Sequence, residues 1–201
     1  MPSLDDVFRY FTGVWRMMLG HKDGLNYLDI SADDFWQSFN AILIALPPLF
    51  GTWVAYAAEL TAGREDATTR LAIVTRAAFV DIAAWVVPLI IIGLLARYIG
   101  IAKRYAAYVI ATNWASALLA WIFAPITLLQ LFFPSQFEIA MIFIFLMFGI
   151  TVVFSYRLTF AVLQRPHSYV APFFTSVFMG TLFFTLILQQ IFGIGIDTHN
   201  Y

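Results

Sequence analysis

Apolar residues recur at Leu4, Val7, Phe8, Phe11, Val14, Trp15, Met18 and Leu19, with Asp5, Asp6, Arg9 and Arg16 on the opposite side. Steps of three and four residues trace one helical face, so this segment predicts an amphipathic helix. Ser3 with Asp6 three residues later gives it a start of capping-box type. Such a helix can lie in the headgroup region of a bilayer or pack on the face of a helix bundle. The polar run GHKDGLNYLDISADD (20–34) with its two glycines predicts a loop. It ends at Ser31, an N-cap followed by Asp33 and Asp34 in the first turn.

The pattern then changes to long apolar runs at about 35–60, 71–96, 106–133, 137–163 and 170–192. Each exceeds the about 20 residues needed to cross a bilayer. The connections are short, so neighbouring spans run antiparallel. The fold class expected is all-α: a polytopic transmembrane bundle of five helices preceded by an N-terminal amphipathic interfacial helix. The corresponding organisation is an N-terminal helix and polar loop (1–34), a five-helix domain (35–193) and a short tail (194–201). Aromatic residues near the ends of the runs, among them Phe35, Trp36, Trp53, Tyr56, Tyr98, Tyr105, Tyr108, Phe132 and Phe133, are expected at the membrane interfaces.

Composition sharpens this reading. Of 201 residues, 62% are hydrophobic and 11% charged, against about 25% charged in soluble domains. Too few charges remain to cover an apolar surface in water, so lipid is the solvent for much of the chain. A net charge of −1 gives no electrostatic footprint for a nucleic-acid partner. The absence of cysteine removes disulfides and thiolate chemistry. No cleavable secretory signal is visible before the first apolar run, which is therefore expected to serve as the insertion signal.

Basic residues set the expected orientation. Arg9, Arg16, Lys22, Arg97, Lys103, Arg104, Arg157 and Arg165 fall on one side, against Arg64, Arg70 and Arg76 on the other. The positive-inside rule then places the N-terminus in the cytoplasm and the C-terminus outside. The first loop (TAGREDATTR) runs against that bias and is partly balanced by Glu65 and Asp66. Short loops and an uncleaved first span suit a bacterial inner membrane, with a periplasmic C-terminus.

Charged residues within spans are candidates for function because each costs about 2.5–3.5 kcal/mol at the bilayer centre. Arg76 is near enough to the outer end of the second span to snorkel. Asp81 is too short to reach the surface and must be protonated, bonded across helices or beside water. Arg157 in the fourth span is expected to face Asn113 in the third, at similar depth. Pro47, Pro48, Pro88 and Pro125 fall inside the first three spans and are helix-kink candidates. Ala107, Ala111 and Ala115 form a small-residue stripe of the kind that packs helices closely.

Other chemistry is missing from the pattern. His21, His167 and His199 lie outside the spans, which disfavours haem ligation. Lys22 and Lys103 do too, which excludes a retinal Schiff base. His21, Asp23 and Asp29 are potential metal ligands within a polar loop, but no metal is expected there. Phosphate-loop, zinc-protease and nucleophile-elbow motifs are absent from the sequence. No enzyme activity and no cofactor are expected.

The polar stretch leading into an aromatic start of span one (LDISADDFWQSF), followed by five spans, resembles the Yip1-like membrane proteins. Asp29-Ile30-Ser31 followed by Phe35-Trp36 is the nearest counterpart of that family's entry motif. The resemblance implies a five-helix bundle; eukaryotic members act in membrane trafficking, and no functional residue carries over. Two functions are compatible with the sequence. The first is a membrane-organising protein or accessory subunit that meets the lipid bilayer and a protein partner or further copies of itself. The alternative is a small oligomeric transporter or channel with a path near Asp81, Asn113 and Arg157.

Overall fold

The computed structural model describes residues 2–61, 67–132 and 137–195. Arg64, Glu65, Asp66, the 134–136 connection, Phe133, His199 and the tail from 196, with the side chain of Phe132, lie outside the described residues. All described secondary structure is helical: α1 (Leu4–Met18), a short 3-10 helix (Lys22–Tyr27), α2 (Ala32–Gln37), α3 (Asn40–Leu60), α4 (Ala67–Leu95), α5 (Tyr105–Phe132), α6 (Phe137–Leu163) and α7 (His167–Ile191). Five helical segments are long and apolar enough to cross a membrane, the first combining α2 and α3. The chain is a multi-pass membrane protein by that criterion.

Local signals account for the helix ends. Ser3 and Asp6 form a reciprocal capping box at the start of α1. Ser31 accepts from the Asp34 amide at 3.0 Å to start α2. The segment expected to be a loop contains the 3-10 helix instead, because two glycines bring it onto α1. A Cβ on Gly24 would stand 2.4 Å from the Gly13 carbonyl oxygen, and one on Gly13 would stand 2.8 Å from the Gly24 oxygen. Only a pair without side chains permits that approach.

α5 is the central helix, packed against α3 on one side and α6 on the other. Ala107, Ala111 and Ala115 are all buried, and their small volume lets neighbouring backbones come close. α7 lies at the periphery, against α4 and α6. α1 crosses α5 and α6: the Tyr10 ring sits 4.9 Å from that of Trp114, and Trp15 meets Phe154 edge-on at 5.6 Å. Its apolar residues divide between two surroundings. Val7, Val14, Met17 and Met18 are buried in the bundle, whereas Leu4, Phe8, Trp15 and Leu19 face outward.

The first span is interrupted where the sequence shows one continuous apolar run. α2 ends at Gln37, and α3 begins at Asn40. α3 then runs unbroken through Pro47 and Pro48, as α4 does through Pro88 and α5 through Pro125. Pro48 has no N–H for the carbonyl four residues earlier, which belongs to Ile44. That carbonyl accepts the Trp121 indole N–H from α5 at 3.0 Å. An interhelical bond thus replaces the lost intrahelical one.

At its other end α7 closes with Gly193 at φ 63. The Gly193 amide donates to Gln190 and the Ile194 amide to Gln189, the paired bonds of a Schellman cap. This turn places Ile194 in a small core with Trp53, Ala77 and Val80, and its carbonyl accepts from the Tyr56 hydroxyl. Ile194 therefore packs with the bundle, although the pattern had assigned it to the tail.

Candidate intramembrane site

Asp81 is the central residue of α4 (Ala67–Leu95), about 21 Å along the helix from either end. The Trp53 indole N–H on α3 donates to its Oδ2 at 2.7 Å. Trp53 had been expected at an interface; it is 5% exposed instead. A buried indole N–H needs an acceptor, and Asp81 supplies it across the helix interface.

One turn further along the same face of α4, Trp85 makes the matching contact with α5. Its indole N–H donates to Asn113 Oδ1 at 2.9 Å, and the Asn113 amide donates to Ser38 Oγ at 2.9 Å. Ser38 Oγ in turn donates to the Phe35 carbonyl at 2.7 Å. Asn113 and Ser38 are fully buried. The network occupies the break between α2 and α3, where helix ends leave backbone groups without intrahelical partners. Asn113 therefore joins α4, α5 and the α2–α3 junction, and the expected Asn113–Arg157 pair does not form.

Arg157 is exposed and lines a different pocket, of about 390 Å³, with Lys22 and His167. The placement follows from α1 and the 3-10 helix. They bring Trp15 against Phe154 of α6 and the Lys22 ammonium to 5.2 Å above the Phe160 ring. Arg157 is between those positions and lies at the depth of the polar N-terminal segment. Arg76, on the far side, does more than snorkel: its Nη1 donates to the Phe192 carbonyl at 3.3 Å, beside the negative end of the α7 dipole.

Two cavities flank Asp81. The larger, about 480 Å³, is bounded by α3 to α7 and contains Thr112, Ser116, Thr151, Ser155 and Thr159 in its wall. The smaller, about 180 Å³, lies toward the C-terminal end of α7 and includes Thr52, Tyr56 and Gln189. Asp81 borders both, and it is the only charged residue lining either among the described residues.

The hydroxyls have a consistent polarity. Thr112 donates to the Tyr108 carbonyl at 2.6 Å, Thr151 to Met147 at 2.9 Å and Thr159 to Ser155 at 2.7 Å. A hydroxyl whose proton is used this way keeps its oxygen lone pairs for a donor, although Thr159 also meets the buried Tyr108 hydroxyl. Thr112 and Thr151 therefore offer acceptors in an otherwise largely apolar wall that holds one carboxylate. That arrangement favours a cation or another hydrogen-bond donor over an anion.

Asp81 and Asn113 stand out in the sequence as site candidates, whereas Trp53, Trp85, Ser38 and the threonines do not. The indoles carried a usable signal, because in-span tryptophans require acceptors and in-span acceptors are few. The threonines carried none, since they act only through the cavity they share. Of the potential metal ligands in the polar loop, Asp29 accepts from Arg9 at 2.5 Å, and Asp23 pairs with Arg16. Both loop carboxylates are thus held by guanidinium groups.

No family model, curated protein or solved structure matches this chain.

Proposed function

We propose that the protein carries a small cationic solute across the membrane and that Asp81 is its counter-charge. The observation supporting this reading is Asp81's position, midway along α4 and bordering two cavities in which it is the only charged residue among the described residues. A volume of about 480 Å³ is in the range of ordinary ligand pockets. It accommodates a small organic cation with water as well as an inorganic ion. Proton and ion pathways commonly use such intramembrane carboxylates. The excess of basic residues on the N-terminal side supports a cytoplasmic location for that side, and the short connections suit a bacterial inner membrane. The outward stripe of Leu4, Phe8, Trp15 and Leu19 then lies in the headgroup region.

The test is flux into liposomes containing the purified protein, using protons, monovalent metal ions and primary and quaternary ammonium ions. Wild-type protein is expected to give saturable flux of at least one of them, and Asp81→Asn to abolish it. Correctly folded wild-type protein that moves none of them faster than empty liposomes overturns the reading.

The organising or accessory-subunit reading has a different supporting observation. Ser168, Pro172, Ser176, Gly180 and Phe184 follow one another at four-residue steps along a groove of about 650 Å³ between α4 and α7. Ser168, Ser176 and Gly180 are small, and small residues along an exposed membrane groove suit the close approach of another helix. An oligomeric transporter would use the same surface, and the Yip1-like layout accommodates either role.

A further inference from the structure

We propose that the pocket between α6, the start of α7 and the turn after α1 binds the headgroup of an anionic phospholipid in the leaflet on the N-terminal side. Its wall is largely apolar but includes Lys22, Arg157 and His167, and among the described residues no acidic one lines it. All three side chains belong to exposed residues. Among the described residues, neither Lys22 nor Arg157 forms an ion pair, whereas Arg9 and Arg16 both do.

The histidine is fixed in place. Its ring stacks on Phe160 at 4.1 Å with an interplanar angle of 7°, and its Nδ1 is 2.7 Å from the Tyr156 hydroxyl. Nε2 is the ring nitrogen left for a ligand. α7 begins at His167 without a side-chain cap, so the positive end of its dipole adds to the field of the cations. Two cationic residues and a held imidazole thus border one pocket beside a helix start. Phosphate chemistry matches that set.

The remainder of the pocket decides between a soluble phosphate and a lipid. Val152, Val153 and Phe174 continue its wall, and Val153 is 49% exposed. These residues lie further into the membrane-crossing parts of α6 and α7. A free phosphate has no use for such a wall; an acyl chain attached to the phosphate lies along it. Basic pockets between membrane helices recognise anionic headgroups in this manner.

The experiment is native mass spectrometry of the full-length protein in mild detergent, titrated with phosphatidylglycerol, phosphatidylcholine, glycerol 3-phosphate or inorganic phosphate. Wild-type protein is expected to retain phosphatidylglycerol in preference to phosphatidylcholine. Arg157→Gln and Lys22→Gln should each lower that preference about fivefold, from about 1 kcal/mol per basic residue. His167→Phe keeps the stack on Phe160 but lacks Nε2, and it should also weaken retention. Arg165→Gln removes a nearby positive charge outside the pocket and serves as the control, with no change expected. Equal retention of the two lipids by wild-type protein overturns the proposal, as does a loss shared equally by Arg165→Gln. Displacement of the lipid by equimolar glycerol 3-phosphate or inorganic phosphate also overturns it and assigns the pocket to a soluble anion.

Discussion

The indole N–H of Trp53 on α3 donates to the Asp81 carboxylate at the midpoint of α4 over 2.7 Å. This one bond ties the candidate transport group to the packing of the bundle, so its chemistry and its structural role require separate substitutions. Asp81→Asn removes the charge but keeps an oxygen that accepts from Trp53. It is expected to leave thermal stability nearly unchanged. Asp81→Leu leaves the buried indole N–H without an acceptor, a cost of about 1–3 kcal/mol. Thermal unfolding in detergent separates the two; equal destabilisation by both would show that Trp53 depends on the charge.

Asn113 is predicted to matter more for folding than Arg157. Asn113→Leu removes the partners of both Trp85 and Ser38 within a buried site. Losing two such bonds is expected to cost about 2–4 kcal/mol. Arg157→Gln changes an exposed side chain and should remain within about 0.5 kcal/mol of wild type. Denaturant titration in mixed micelles checks the order.

Pro48 and Trp121 should be energetically coupled. Trp121→Phe leaves the Ile44 carbonyl without its indole donor, so it is expected to destabilise by about 1 kcal/mol or more. Pro48→Ala restores an amide that can close the intrahelical bond to Ile44. Part of the Trp121→Phe loss should therefore disappear in the double variant, with a coupling energy of about 1 kcal/mol. Strict additivity would contradict this account of the proline.

Close contact between α1 and the 3-10 helix makes Gly24 intolerant of substitution. A Cβ there would meet the Gly13 oxygen at 2.4 Å and the Met17 amide nitrogen at 3.0 Å, and both obstacles are backbone atoms. Gly24→Ala is expected to separate the two elements while the five long helices persist. Faster amide exchange confined to the first 30 or so residues, about two turns either side of the contact, is the signature.

Acid should loosen the same region. The Arg16 guanidinium bonded to Asp23 holds that carboxyl below its ordinary value, and the Ser3 hydroxyl and amide do the same for Asp6. A lowered folded-state value means that each interaction contributes fully above the ordinary carboxylate pKa of about 4 and is lost as pH falls below it. Protection of the α1 amides, taken relative to the intrinsic exchange rate at each pH, is expected to fall on acidification through that range. Arg16→Gln should lower that protection already at neutral pH and flatten its acid-dependent loss.

Pattern along the chain suffices for the solvent, for α1 and for the long apolar segments, but not for the 3-10 helix or the break between α2 and α3. Long apolar runs with few charges require a bilayer. Ser3, Ser31 and the three-and-four spacing of α1 act within a few residues, so local chemistry suffices to read them. Sequence also identified Asp81 as costly, because placing a carboxylate at mid-span is unfavourable whatever surrounds it. Tertiary structure decided what offsets that cost. The Trp53–Asp81 and Trp85–Asn113 bonds each join residues 28 positions apart, on helices whose rotation about their own axes is set by packing. The small moment of an all-apolar helix gives its sequence little say in that rotation. The same freedom separated Arg157 from Asn113, and it allowed threonines on different helices to face one cavity. Only the assembled bundle fixes which sides of such helices meet.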